Sequence, residues 1–372
     1  MRIGKIVEED CKLARSLWEE VFPEDSIQFT DYYFEHKASR NIGYVIGDSP
    51  YDAMLFRTPY IVRIGEKKRE LSYLVGVATR TECRHKGYMR HLLTKAIEEM
   101  YGEKQPFTFL MPANPAIYEP FGFQYVYERE EWNLAEETMD ATDMTESLEE
   151  SGLDYDYDAT DFELQAASME SNREKQAKKS IKTLNGICGV KKLQKKMPQY
   201  PVLEQLVDFA NRILKEKYQI YVYRDVAYYE MLLKELEAQN GDIYILFENG
   251  DIKAYFLYAK EEGKVFIQEV LQEDGVSLEC LQKQQYKKPI IMARIVHLEE
   301  MMRLVRSEKP REVILKVEDK LIPDNNGVFR WKISQEGSQV FRLENNAQAQ
   351  YCVSIEELAP LILKDVFLNE IV

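Results

Sequence analysis

The 372-residue chain has few of the residues that staple a fold or bind metal. Its five cysteines, Cys11, Cys83, Cys188, Cys280 and Cys352, are odd in number, widely scattered and never in a Cys-x-x-Cys pair. That argues against both a disulfide framework and a zinc site. Four histidines, His36, His85, His91 and His297, show no metal-ligand spacing, so no metal is expected. No window approaches the roughly 20 continuous apolar residues of a membrane span. Met1-Arg2-Ile3-Gly4-Lys5 leads into acidic sequence rather than a signal-peptide core, so a cytoplasmic protein with reduced thiols is expected. Glycine is scarce where a nucleotide loop would need it. The run from Arg84 to Arg90 lacks the closing Gly-Lys-Ser/Thr of a Walker motif and the three glycines of a dinucleotide fingerprint, which sets aside nucleotide hydrolases and dehydrogenases.

What is present is an ordinary globular balance, 45% hydrophobic and 30% charged, over a length sufficient for two or three domains. The net charge of −15 has a local origin: Glu130 to Asn172 holds fifteen of the 64 acidic residues and no Lys or Arg. The rest of the chain balances, so this segment reads as a solvated boundary or an interaction tail. Such acidity argues against nucleic acid as a partner and is compatible with a cationic amine substrate.

The most informative stretch runs from Leu71 to Phe123. Leu71, Tyr73, Val75 and Val77 alternate with Ser72, Leu74, Gly76 and Ala78, the period of a partly buried strand. Met89, Leu92, Leu93, Ala96, Ile97 and Met100 then mark one face of a helix stopped by Gly102. Between them lies a basic loop with one glycine, Gly87, flanked by Arg84, His85, Lys86 and Arg90. The first N–H groups of a helix have no backbone partner and carry the positive end of its dipole, so the loop can cradle an anion such as a phosphate. By itself the pattern also fits a solvated turn.

Further elements follow in order. A helical face is formed by Cys11, Leu13, Ala14, Leu17 and Trp18 within residues 3–20, and a second helix carries Phe29, Tyr32, Tyr33, Phe34 and Glu35. Strands are predicted at 44–46, 53–64, 107–111 and 123–127, with a short helix at 116–121. Beyond the acidic segment come helices at 202–215 and 226–238, then strands at 242–248, 253–259 and 264–270, with a turn at Asn249-Gly250-Asp251. The last region opens with Ile290-Ile291-Met292-Ala293-Arg294-Ile295-Val296. It continues through strands at 312–317, 327–333 and 339–343 to a helix ending at Val372.

Arg84-His85-Lys86-Gly87-Tyr88-Met89 resembles the pyrophosphate loop of the GNAT acetyltransferases, with Met89 where a second small residue is usual. It is more similar to the enhanced-intracellular-survival (Eis-type) branch, as is Ile117-Tyr118-Glu119-Pro120-Phe121-Gly122-Phe123 downstream. The resemblance implies a mixed α+β protein: tandem GNAT-like domains, each a mixed, mostly antiparallel sheet flanked by helices, plus a small α+β sterol-carrier-like domain. The implied divisions are 1–134 (catalytic), 135–288 (degenerate, with no Arg-x-x-Gly loop) and 289–372 (sterol-carrier-like).

Its implied activity is acetyl-CoA-dependent transfer of acetyl to a primary amine by direct attack on the thioester. Val77, Ala78 and Thr79 would hold the pantetheine arm and thioester, with Ala113 and Asn114 beside the arm. Arg84, His85, Lys86, Gly87, Tyr88, Met89 and Arg90 would hold the pyrophosphate. Tyr118 would protonate the departing thiolate; it also fits a core tyrosine between Ile117 and Phe121. By the same resemblance the carboxylate of Val372 would be the base or a water-relay partner for the acceptor amine, though the apolar end also fits a docked C-terminal helix, and Asp25, Asp31 and Glu35 would line the acceptor pocket. A homo-oligomer is implied as well. Cys83 has no histidine partner and is set aside as an acetyl-carrying nucleophile. The competing reading is a binding module that senses acyl-CoA or carries an apolar ligand without turnover.

Overall fold

The computed structural model describes residues 3–6, 10–48, 50–135, 189–192, 200–261 and 264–370. The acidic segment beyond Ala135 and most of the basic run after it lie outside these residues, as does Val372. In chain order the strands are β1 (Ile3–Lys5), β2 (Ile42–Ile46), β3 (Ala53–Ile64), β4 (Lys67–Thr79), β5 (Phe107–Leu110), β6 (Gln124–Leu134), β7 (Gly189–Lys192), β8 (Ile220–Val222), β9 (Asp242–Glu248), β10 (Asp251–Glu261), β11 (Lys264–Gln272), β12 (Leu281–Ile295), β13 (Arg311–Glu318), β14 (Gly327–Ile333), β15 (Ser338–Leu343), β16 (Tyr351–Ser354) and β17 (Val366–Phe367). The helices are α1 (Cys11–Val21), α2 (Ile27–Tyr32), α3 (Tyr88–Gly102), α4 (Tyr200–Lys217), α5 (Val226–Ala238), α6 (Leu298–Leu304) and α7 (Ile355–Ile362). This is the mixed α+β architecture the sequence led us to expect. The chain divides into one compact unit of residues 1–129, 214–231 and 288–372 and another of 130–213 and 232–287.

A mixed sheet runs β1-β2-β3-β4-β5-β12-β6, with β8 on β3 and β17 on β8; its strands belong to the first unit except for the part of β6 after residue 129 and the part of β12 before residue 288. β3 and β4 form a long antiparallel hairpin turning at Gly65-Glu66, and the β4–β5 pair is parallel. The apolar face read from the sequence is the buried face of α3: Leu92, Leu93, Ala96, Ile97 and Met100 are all fully buried. They pack on Tyr44, Ile46, Ala53, Leu55, Leu74 and Leu110. Burying each large side chain there contributes about 1.5–3 kcal/mol. Residues 3–5, placed by sequence within a helical stretch, instead form β1 against β2. Their backbone groups are satisfied by a partner strand some forty residues away, which a local pattern cannot show.

β12 lies between β5 and β6, pairing Met292 with Leu110 and Ile295 with Phe107. The remaining sheet, β15-β14-β13-β16, packs on α6 and α7; Trp331 Nε1 donates to the Met302 carbonyl at 3.1 Å. The predicted strands at 312–317, 327–333 and 339–343 are β13, β14 and β15. The tail departs from expectation. After α7 the chain turns at Asp365, φ 53°, and Val366–Phe367 pairs in parallel with β8 rather than continuing as a helix. Pro360 inside α7 marks how short that helix is.

The second unit is built on the antiparallel sheet β11-β10-β9-β7. Asn249 and Gly250 both have positive φ, 53° and 88°, the two-residue turn expected between β9 and β10. Its core holds Tyr244, Leu246, Phe256, Tyr258 and Ile267.

Candidate active site

Two features of β4 and β5 make an opening. They pair at one register position only, Tyr73 with Phe109. Beyond it β4 continues to Thr79 while β5 stops at Leu110, so the β4 edge at Val77, Ala78 and Thr79 is left without a β5 partner. The separation is anchored at its apex: Thr108 Oγ1 donates to the Ser72 carbonyl at 2.7 Å, and the Met111 N–H donates to the Tyr73 hydroxyl at 3.3 Å. Against β3, β4 carries one extra residue, since Phe56 faces Val75 but Met54 faces Ala78. Gly76 takes that bulge with φ 59°. A β-carbon there would fall 2.6 Å from the Trp18 ring and 3.1 Å from Phe56. Sequence reasoning passed over Gly76, although a lone glycine inside an alternating strand is the ordinary signal of a bulge.

From Thr79 the chain makes a short 3-10 turn, Thr81–Cys83, and enters α3 through His85 (φ 62°) and Gly87 (φ 80°). Gly87 is the N-cap and offers no side chain to the first-turn N–H groups. The helix ladder starts with the His91 N–H on the Gly87 carbonyl at 3.1 Å, and His91 Nδ1 lies 2.7 Å from the same oxygen. Arg84, His85, Lys86, Gly87 and Arg90 are exposed, and Tyr88 and Met89 are half-buried. Open N–H groups, a positive dipole end and four surrounding cationic or imidazole side chains form a site for a multivalent anion. Cys83 is buried beside it, its thiol donating to Asp52 at 3.3 Å. Burial first, and the Asp52 bond and charge second, push its pKa up, so it is not an activated nucleophile.

The third part follows β5. Asn114 caps the 3-10 turn Pro115–Ile117 by accepting the Ala116 N–H at 3.1 Å, and a second turn, Glu119–Phe121, ends at Gly122, φ 81°. Tyr118 sits between them, with its N–H on the Pro115 carbonyl at 2.9 Å. Its side chain is 6% exposed in the α3 core, against which Val77, Tyr88 and Met89 also pack. Burial pushes the phenol up to about 12, and among the described residues no group hydrogen-bonds its hydroxyl. The Arg90 guanidinium lies 5.2 Å from the Phe121 ring centroid. Val77 at the edge of β4, Tyr88 and Met89 at the start of α3, and Tyr118 thus belong to one core cluster.

The acidic candidates fare unequally. Asp25 accepts the Trp18 indole N–H at 2.7 Å, which places it one side chain from the Gly76 bulge. Asp31 is exposed and ion-paired to Arg15 at 2.7 Å. Glu35 is exposed within a π-helical turn, Tyr33–Lys37. Ala113 is exposed beside Asn114. Val372 lies outside the described residues; two positions before it, the buried Glu370 is held by Arg224 at 3.3 Å and by the Tyr228 hydroxyl at 3.2 Å. Among the described residues no three His, Cys, Asp or Glu side chains converge as a metal site, and no helix is long and apolar enough to cross a membrane.

Residues 2–126 match the family described as acetyltransferase (GNAT) domain, and residues 298–372 match the family described as sterol carrier protein domain. No curated protein matches the chain. Among solved structures it is similar to a conserved protein from Enterococcus faecalis described as a probable N-acyltransferase, at 15% identity and a TM-score of 0.69, over 97% of this chain and 89% of that one. A GCN5-related N-acetyltransferase from Anabaena variabilis gives 15% identity and a TM-score of 0.68, over 97% and 89%. Eis1 from Mycobacterium abscessus gives 10% and 0.65, over 98% and 90%. At such identities these likenesses establish the fold.

Proposed function

We propose that this chain, which carries an acetyltransferase (GNAT) domain at 2–126 and a sterol carrier protein domain at 298–372, is an N-acetyltransferase that moves acetyl from acetyl-CoA to a primary amine by direct attack on the thioester. Acyl transfer in general follows from the GNAT domain. The donor and the chemistry of the acceptor are our reading of the site. The observation that carries it is the uncapped start of α3 at Gly87, beside the unpaired edge of β4 and within one core cluster of Tyr118.

Acetyl-CoA fits the residues present: a diphosphate suits the N–H groups after Gly87 and the charges of Arg84, Lys86 and Arg90, and an extended amide chain suits the open backbone edge at 77–79. When bound it supplies an acyl thioester. The loop and β4 then act by orientation, which can lower the barrier by roughly 7 kcal/mol or more. Ala113 and Asn114 lie beside the pantetheine arm in this reading, and Asn114 caps the turn that leads to Tyr118. Tyr118 remains protonated at every working pH, because burial disfavours its anion. We assign it as the donor of the proton that the departing sulfur needs. Val372 is kept as the candidate base for the acceptor amine, and Asp25 and Glu35 as candidates for attracting its cationic form.

Tyr118→Phe tests the reading. Turnover is expected to fall about 100-fold, within the usual range for a general acid, with acetyl-CoA affinity kept. Unchanged turnover would remove Tyr118 from the chemistry.

A further inference from the structure

We propose that Arg294 is a positioning residue for Tyr118, and that through Asp319 the C-terminal domain sets where the phenol stands. The inference rests on the reading of Tyr118 as proton donor. Arg294 is 1% exposed, a single cation in the apolar run of β12. Its Nη1 donates to the Phe121 carbonyl. Its Nη2 donates to both Asp319 oxygens, at 2.8 and 2.7 Å. Asp319 is itself fixed, accepting the N–H groups of Leu321 at 2.9 Å and Ile322 at 3.1 Å and the Asn325 amide at 2.9 Å. Asn325 also donates to the Val296 carbonyl at 2.9 Å, which returns the network to the end of β12.

The Phe121 carbonyl is a telling place for that contact. Tyr118 donates its N–H to Pro115, and its carbonyl accepts the N–H of Phe121 at 2.9 Å and of Phe123 at 3.5 Å. Fixing Phe121 therefore fixes the carbonyl side of Tyr118, while Pro115 holds its N–H. The fit is close: a β-carbon on Gly122 would fall 2.3 Å from Arg294 Nη1, so the turn needs glycine both for its positive φ and for the guanidinium beside it. The same turn presents the Phe121 ring to Arg90 on α3, so one short segment joins the anion loop, the phenol and the buried pair. Packing alone does not call for a charge here, since a buried ion pair is commonly matched or bettered in stability by apolar side chains of similar volume. What the guanidinium adds is direction, with two arms that hold a carbonyl and a carboxylate at a fixed angle.

The test uses the full chain with acetyl-CoA and whichever of spermidine, an aminoglycoside or a lysine peptide turns over fastest. R294M/D319N removes the pair together and leaves no buried charge, while the amide oxygen introduced by D319N still accepts the loop N–H groups. Turnover is expected to fall about tenfold or more with KM for acetyl-CoA changed less than about twofold, as for loss of an interaction that matters only to the chemical step. In a Y118F background the same pair of changes is expected to alter turnover by less than about twofold, because it acts through the missing hydroxyl. A purely structural role would instead lower both backgrounds alike, and that additive loss would overturn the inference while leaving the proton-donor reading standing. If Y118F turns over at the wild-type rate, the proton-donor reading fails and the inference with it. Should R294M/D319N fail to fold, R294K keeps the charge but lacks the planar fork that spans both partners. It is expected to lose turnover about threefold or more, and unchanged turnover would overturn the inference.

Discussion

The Trp18 indole occupies the space that a β-carbon at Gly76 would need, 2.6 Å from its nearest ring carbon. The same indole stacks on Tyr33, centroids 4.3 Å apart, and donates to Asp25. The bulge on β4 and the α1–α2 segment are therefore built against one another. Gly76→Ala combines a positive-φ strain with a clash and is expected to cost about 2–4 kcal/mol by chemical denaturation. Trp18→Leu on the same background should recover part of it; full tolerance of Gly76→Ala would contradict this view of the bulge.

The anion loop has its own signature. Lys86→Ala and Arg90→Ala are each expected to weaken coenzyme A binding by about tenfold, with less salt dependence than the parent. Pantetheine has no diphosphate and should bind both variants as it binds the parent. Calorimetry with the two ligands checks this, and equal losses for both would place the charges elsewhere than on phosphate.

His297 supplies a pH test of the fold. Its Nδ1 accepts the Glu300 N–H at 3.4 Å as the N-cap of α6, and its ring stacks on Tyr101 with centroids 4.7 Å apart. Burial holds its pKa below the ordinary 6.5 against the pull of Glu300 and Glu299, with Arg303 adding to the lowering. A depressed folded pKa means the unfolded chain takes up the proton more readily, so this contribution is present above about pH 6.5 and lost as pH falls through the folded value. His297→Asn, which can still cap, is expected to lower Tm slightly at pH 7.5 and to flatten the fall in Tm between pH 7 and 5. An unaltered slope would show that another group carries it.

Asp319 acts in a lower window. Burial raises its pKa, but the charge and hydrogen bonds of Arg294, with Asn325 and the Leu321 N–H, outweigh that and hold it below the ordinary carboxylate value. Its contribution is complete above about pH 4 and disappears as pH drops further. Asp319→Asn should therefore destabilise at pH 7 and do so less at pH 3, as measured by urea midpoints.

Much of this was legible in sequence because it depends on local spacing. The apolar positions of α3, the Asn249-Gly250 turn and the strands near 312, 327 and 339 follow from periodicity and turn chemistry. The loop at 84–90 was marked by charge and one glycine next to a helix start. What sequence could not show was pairing at a distance: β12 beside β5, β17 beside β8, and Arg294 reaching Phe121 across more than 170 positions. A single arginine in the run Ile290 to Val296 was the visible trace of that network, and nothing local says which carbonyl or carboxylate it meets. The ion pair of Asp31 with Arg15, sixteen positions apart, is another contact that local spacing does not show.

The last two residues carry a separate expectation. Glu370 is anchored by Arg224 and Tyr228, so a chain ending at 370 should fold with its anchor intact. If Val372 supplies the base, that truncation lowers turnover about tenfold or more at pH 7 and recovers it at higher pH, where the amine is already neutral. Equal turnover at both pH values would exclude the role.

The most direct measurement is release of free thiol from acetyl-CoA on adding spermidine, an aminoglycoside or a lysine peptide, with acetylated amine counted in parallel. Amine-dependent thiol release is expected, one acetyl transferred for each thiol, slowed about 100-fold in Tyr118→Phe while acetyl-CoA still binds. Tight binding of acetyl-CoA with no acceleration by any amine, or undiminished release from the Tyr118→Phe variant, would contradict it.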